Sequence, residues 1–200
     1  MKMVLASGNQ KKLVELEALL APLGFELVTQ SELGVPEAEE TGLTFVENAL
    51  IKARNAAAHT GLPAISDDSG LEVDALQGAP GIYSARFSGV GATDARNNAL
   101  LVEQLQALPG VPLTARYHAV IAVMRHANDP VPLIAHGAWE GEILLTPQGD
   151  GGFGYDPHFF DPLRHCTAAQ MPAEEKNRIS HRALALDSLL QQLKNLREKI

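Results

Sequence analysis

The chain has 200 residues, 46% of them hydrophobic and 20% charged, with a formal net charge of −8 at pH 7. That length suits one ordinary domain, or one domain with two lobes around a cleft, and the apolar content builds a sizeable core, which excludes a disordered chain. The acidic balance speaks against a general nucleic-acid or anionic-membrane binder; a small polyanionic substrate stays open, given a local cluster of Lys and Arg and a divalent cation.

The apolar start Met1 to Ala6 passes at once into Gly8, Asn9 and Gln10, too short for the apolar region of a secretion signal, and no apolar run nears the ~20 residues of a membrane span. Met3 to Ala6 reads as a strand. After the loop Ser7-Gly8-Asn9-Gln10-Lys11-Lys12, leucines 13, 16, 19, 20 and 23 recur at helical spacing. Strand, small polar loop and helix in that order turn backbone N–H groups toward an anion. Lys11 and Lys12 oppose the helix dipole there, which points to a bound negative group; two solvated lysines on an exposed first turn are the alternative. The loop lacks the glycine-lysine spacing of a P-loop.

Phe25 to Val28 reads as a second strand, and residues 34–42 as an acidic loop with Glu37, Glu39 and Glu40. Thr44 and Glu47 form a capping box for a helix running to Thr60. That helix is expected to bury Val46, Ala49, Leu50, Ala53 and Ala57, to carry Lys52 and Arg54 on its polar side, and to stop at Gly61. The acidic loop offers carboxylates to a metal, or is simply solvated.

Leu62 to Ile65 leads into Ser66-Asp67-Asp68-Ser69-Gly70, and Leu71 to Leu76 alternates after it. The pattern predicts a strand, a sharp turn at Ser69-Gly70 and a second strand. Adjacent side chains at a strand end point to opposite faces, so Asp67 and Asp68 do not both face one ligand. One of them holds a metal or activates water while the other braces the turn, unless the pair is only a polar turn.

Residues 78–86 are too glycine-rich for regular structure. Thr93 caps a helix from Asp94 to Leu108, and Ala115 to Met124, apolar on both faces, reads as a central strand paired in a hairpin with Leu133 to Trp139. Trp139 belongs to a core or an interface. The stretch from Gly149 to Pro157 is a second glycine loop, whose backbone can approach a flat ligand closely or serve as a hairpin turn. Cys166, the single cysteine, leaves no internal disulfide and fits the reducing cytosol. Beside His165 it is a bystander, because adjacent residues rarely reach nucleophile–base geometry. Glu174 to Arg178 and Ser180-His181-Arg182 crowd basic groups before a final helix that carries leucines 186, 189, 190, 193 and 196 to the core. Basic groups are disfavoured at a helix start, which argues for a function of His181 and Arg182 over a plain polar opening.

Together these segments resemble the inosine/xanthosine triphosphate pyrophosphatases, the Ham1-like nucleotide hydrolases. The likeness spans nearly the whole chain. It rests on Ser7 to Lys12, Glu39-Glu40-Thr41-Gly42 with Glu47-Asn48-Ala49, Asp67 to Leu71, Gly78 to Arg86, Gly152 to Pro157, and Glu175-Lys176-Asn177 with Ser180-His181-Arg182. Ser7 departs from the pattern, which more often has threonine; both supply a hydroxyl.

The resemblance implies an α/β fold with a long mixed sheet, flanking helices and two lobes around a central cleft, as one domain over residues 1–200. It implies a homodimer and a Mg²⁺-dependent split of a purine nucleoside triphosphate into monophosphate and pyrophosphate. Carried over by motif, Ser7, Gly8, Asn9, Gln10, Lys11 and Lys12 hold the phosphates, with Lys52 as a further cation. Asp68 is the proton acceptor and, with Glu40, engages Mg²⁺. Ser69, Phe153, Gly154, Tyr155, Asp156, Lys176, His181 and Arg182 bind the substrate. In this reading Phe153 lies against the base, while His181, Arg182 and backbone N–H groups of the Phe153 to Asp156 loop donate to a six-keto oxygen, a match that adenine lacks. Trp139 and Gly78 to Ile82 are the expected dimer contacts. Two rivals remain: a Maf-type pyrophosphatase acting on modified pyrimidine nucleotides, and a nucleotide sensor without turnover.

Overall fold

The computed structural model describes residues 1–8 and 10–197, with the side chains of residues 10–12, 15, 19 and 195–197 outside the description; the expected core positions Leu19 and Leu196 are among these. The strands are β1 (Lys2–Leu5), β2 (Glu26–Thr29), β3 (Ala64–Val73), β4 (Thr114–Met124), β5 (Leu133–Ile143), β6 (Phe159–Asp161) and β7 (Cys166–Thr167). They form one sheet in the order β2-β1-β3-β4-β5-β6-β7. It is mixed: β1 runs parallel to β2 and β3, whereas β6 is antiparallel to β5 and β7. The helices are α1 (Gln10–Leu20), α2 (Phe45–Thr60), α3 (Asp94–Gln106), α4 (Ala173–Ile179) and α5 (His181–Arg197). Among the described residues no helix is long and apolar enough to cross a membrane.

The chain divides into two compact units. The first takes in Met1–Asp68, Val120–Ala135 and the chain from Ser188 on; the second takes in Ser69–Ala119 and His136–Asp187. In the first unit, Ala49, Ala53, Ala56 and Ala57 of α2 lie in a core with Val4, Ala64, Val120, Ala122 and Met124. Alanines on that face let the helix backbone come close to the strands, close enough for the buried Ser66 hydroxyl to donate to the Ala49 carbonyl at 2.6 Å. The helix opens and closes as its sequence dictates. Thr44 accepts from the Glu47 N–H, and Gly61 ends it at φ 67°. Val46, expected inside, is 38% exposed, because the buried stripe of α2 is set by the alanines and Asn48.

In the second unit, Leu71, Val73, Leu101, Leu105, Tyr117, Trp139, Tyr155 and Phe159 form the core. Trp139 is 5% exposed and its indole N–H donates to Asp161 Oδ2 at 3.1 Å. It is a core residue of this unit, which removes it as a dimer contact.

The expected turn at Ser69-Gly70 is absent, and β3 continues through both residues. Asp, Ser and Gly favour turns only when nothing better satisfies the backbone. Here a neighbour supplies a bond across the apparent break: the Leu71 N–H donates to the buried Ser84 hydroxyl at 2.8 Å. Residues 78–86 are more regular than expected, with a 3-10 turn at Gly81–Arg86; Asp74–Leu76, expected to continue the strand, form another after β3 ends at Val73. The short elements β6, β7 and α4 had no sequence signature, since two to seven residues cannot display a period.

Glycine at 137 fixes the start of α5. A Cβ there would sit 2.1 Å from the His181 carbonyl oxygen and 2.5 Å from the Ala185 nitrogen, both backbone atoms that cannot swing aside. Gly137→Ala is therefore expected to cost about 3 kcal/mol or more, lowering Tm by roughly 6–12 °C for a chain of this size. Thermal unfolding followed by circular dichroism measures it, and an unchanged Tm would show that α5 is free to shift.

Candidate active site

In the first unit the chemistry gathers on Lys52. Its position on α2 follows from the alanine stripe, which turns Ala49 and Ala53 inward. Strand alternation does the rest: Asp67 is 4% exposed, and Asp68 points the other way, to the lysine. Lys52 Nζ lies 2.7 Å from Asp68 Oδ1 and 3.1 Å from Glu40 Oε1. Thus the acidic loop and the aspartate pair, 28 residues apart in sequence (68 − 40), share one ammonium. Burial pushes the Asp68 carboxyl above its ordinary value; the Lys52 ion pair opposes this, and the charges of Glu40 and Asp67 add to it. Burial also works against the Lys52 charge, but Asp68, Glu40 and Asp67 outweigh it and hold the ammonium protonated.

A half-buried carboxylate with a raised pKa is a better proton acceptor than an ordinary aspartate. Among the described residues no group of three or more His, Cys, Asp or Glu is placed to hold a metal ion. Glu40 and Asp68 still suit Mg²⁺, which takes one or two carboxylates and completes its shell with water and substrate phosphates. The donor set fits the ion expected from the sequence.

In the second unit the centre is Asp156, 2% exposed. Its Oδ2 accepts from the Phe153 N–H at 2.9 Å and from the Lys176 ammonium of α4. Its Oδ1 accepts from the Tyr117 hydroxyl of β4 at 3.3 Å. Gly152, at φ +74°, makes room for this carboxylate: a Cβ would fall 2.0 Å from Oδ2. Phe153 is 59% exposed, with the Lys176 nitrogen 4.9 Å from its ring centroid. An exposed ring held by a fixed cation and a hydrogen-bonded backbone is a platform for a flat ligand.

The first turn of α3 clamps the same loop. Asp94 Oδ2 accepts from the Gly154 N–H at 2.7 Å, and Asn98 Nδ2 donates to the Gly154 carbonyl at 2.8 Å. Tyr155 donates from its hydroxyl to the Ser84 carbonyl at 2.7 Å. His181 opens α5 at 8% exposure, its imidazole stacked on Tyr117 at 4.7 Å and 15°. Ser180 caps that helix, accepting from the Ala183 N–H at 3.3 Å. Arg182 follows, half-buried.

Residues 3–192 match the model of the Ham1 family. The chain belongs to the Ham1 family. It is 60% identical over 94% of its length to a Xylella fastidiosa protein named dITP/XTP pyrophosphatase, covering 94% of that protein. A Photobacterium profundum protein of the same name is 55% identical, over 97% of this chain and 98% of its own. Among solved structures, a HAM1 protein from Coxiella burnetii superposes with a TM-score of 0.95 at 51% identity, over 98% of this chain and 99% of that one. The Staphylococcus aureus Ham1 protein gives 0.90 at 37% identity, over 98% and 99%.

Within this Ham1 chain the structure brings some of the expected residues together inside each unit. Glu40, Lys52 and Asp68 come together; Lys52 is engaged by carboxylates rather than standing alone as a cation. Phe153, Asp156 and Lys176 form a second group, and His181 joins it through Tyr117. Ser7, half-buried, and Gly8, exposed, follow β1 as expected, and α1 begins at Gln10. Asn9 and the side chains of Gln10, Lys11 and Lys12 lie outside the described residues. Ser69 is half-buried within β3 rather than in a turn.

The loop N–H groups, expected to face a base, are committed elsewhere. Those of Phe153 and Gly154 go to Asp156 and Asp94, that of Asp156 to the Phe153 carbonyl at 3.3 Å, and the Tyr155 backbone to the Tyr117 hydroxyl. Sequence reasoning missed Asp94, Asn98 and Tyr117. The hydroxyl of Tyr117 inside an apolar strand was the one signal available.

Carboxyl-detected NMR titration tests the Asp68 environment. A carboxyl raised in the fold is protonated over a pH range where an ordinary aspartate is already charged, so its midpoint should lie above 3.8. Lys52→Gln removes the opposing cation and should move that midpoint higher still. A midpoint below 3.8 in the wild type would mean that the ion pair outweighs burial.

Proposed function

We propose that this chain hydrolyses non-canonical purine nucleoside triphosphates, dITP or ITP and XTP or dXTP, to the nucleoside monophosphate and pyrophosphate, removing deaminated purines from the nucleotide pool. The observation that carries the reading is the Asp68–Lys52–Glu40 group: a proton acceptor and a hard-oxygen ligand pair gathered on one cation. The names of relatives that match over nearly their whole length support it.

The chemistry asks for few parts. A water oxygen attacks the α-phosphorus as its proton passes to Asp68, the bond from that phosphorus to the bridging oxygen breaks, and pyrophosphate leaves. Glu40 and Asp68 would hold Mg²⁺, whose charge offsets that of the phosphate oxygens. Lys52, fixed by both carboxylates, keeps a second positive charge beside them. Ser7, Gly8, Asn9, Gln10, Lys11 and Lys12 bind the phosphates at the opening of α1, where N–H groups favour anions. Phe153 carries the base, Lys176 and Asp156 hold that ring in place, and Ser69, Gly154 and Tyr155 complete the substrate contacts. His181 and Arg182 donate to the six-keto oxygen. Adenine puts an amino donor at that position, and donor facing donor in a desolvated site costs roughly 1–3 kcal/mol, enough to exclude most ATP.

The reading includes residence in the cytosol, supported by the free Cys166. It also includes a homodimer, with Gly78 to Ile82 beside the 54%-exposed Tyr83 as the contact segment.

A nucleotide panel with pyrophosphate and orthophosphate measured separately tests the function. Preference for dITP and XTP with pyrophosphate release is expected. Preference for modified pyrimidine triphosphates would favour the Maf-type reading, and tight binding without turnover a sensor. Asp68→Asn should fold as the wild type and lose about 10²–10⁴ in kcat; retention of most activity at saturating Mg²⁺ would remove Asp68 from the role of base.

A further inference from the structure

We infer that Tyr117 is the positioning residue for base selection: its ring sets the plane of the His181 imidazole, and its hydroxyl ties that plane to the Asp156 carboxylate beneath Phe153. The inference rests on the base-binding role proposed above for Phe153 and His181.

The geometry is specific. Tyr117 and His181 stack with centroids 4.7 Å apart and planes 15° from parallel. A stacked imidazole spends its face on the neighbouring ring, so hydrogen bonding is confined to its edge, and the plane of the stack fixes the direction in which that edge donates. Tyr117 is itself held, tilted against Phe159 at 4.6 Å and stacked near Trp139 at 6.3 Å. The backbone of His181 is fixed independently by its close approach to Gly137. Backbone and ring are thus both constrained, by different strands.

The second half of the link is the hydroxyl. It donates to Asp156 Oδ1 at 3.3 Å, while Oδ2 of the same carboxylate holds the Phe153 N–H and Lys176. Burial raises the Tyr117 phenol well above its ordinary value, with the Asp156 charge adding to it, so the hydroxyl stays protonated and keeps donating. One side chain therefore joins the residue that reads the base edge to the group that carries the base face. A rotation of either ring would be felt by the other.

Two variants separate this role from plain packing. Tyr117→Phe keeps the ring and removes the hydroxyl, whereas Tyr117→Leu removes the stack. The kcat/KM ratio of dITP to dATP should fall roughly tenfold in Tyr117→Leu and by a smaller factor, roughly threefold, in Tyr117→Phe, which keeps the stack but cuts the tie to Asp156. The ring-current shift of the His181 imidazole protons, read by NMR without substrate, should be lost in the Leu variant and kept in the Phe variant. Two results would overturn the inference: an unchanged ratio in Tyr117→Leu after the imidazole signal has moved, or an equal loss of ratio in both variants. If wild-type enzyme shows no preference for dITP, the proposed function fails, and the imidazole signal alone still decides whether Tyr117 sets His181.

Discussion

An aspartate carboxylate removed from water must be met by donors or cations, or it gives up its charge. Both groups of candidate functional residues are built around such an aspartate. In the first unit Asp68 meets the ammonium of Lys52, which also takes Glu40. In the second, Asp156 meets Lys176, the Phe153 N–H and the Tyr117 hydroxyl. The two cases differ in completeness. Asp156 has both oxygens occupied and serves as a structural anchor. Asp68 is half-buried, with its carboxyl pushed up by burial and by like charges, so it retains the capacity to take a proton. One chemical solution thus gives a rigid support in one place and a reactive group in the other.

Close packing of small residues makes both arrangements available. The alanine stripe of α2 lets the helix approach its strands, so that a lysine only three residues from Ala49 reaches Asp68 in the middle of β3. Gly137 does the same for the start of α5, and Gly152 for the Asp156 carboxylate. At each of these glycines a single Cβ would displace backbone or charge. The protein interior does not absorb such displacements cheaply.

Local signals were legible in the sequence and distant ones were not. Thr44, Gly61 and Thr93 mark helix ends through contacts within four residues, and the structure has both ends of α2 and the start of α3 where these caps put them, while α3 stops at Gln106, two residues before the expected Leu108. The aspartates, the glycine loop and the basic helix start stood out as chemistry before any geometry was known. The continuity of β3 was hidden, because the bond that replaces a turn comes from Ser84, thirteen residues further on. The clamp of Asp94 and Asn98 on Gly154 spans 60 and 56 residues, beyond any periodicity. Tyr117 read as one more apolar-strand residue, since its hydroxyl gains meaning only from Asp156. Of the loop N–H groups, those of Gly154 and Tyr155 have partners on other elements, Asp94 and Tyr117, whereas those of Phe153 and Asp156 bond within the loop.

The proposed hydrolysis turns on where water attacks. Hydrolysis of dITP in oxygen-18 water, with mass spectrometry of both products, is the most direct measurement of it. Attack at the α-phosphorus predicts that the label enters the nucleoside monophosphate and that pyrophosphate is released unlabelled. Label in the pyrophosphate, or release of labelled orthophosphate, would contradict the account.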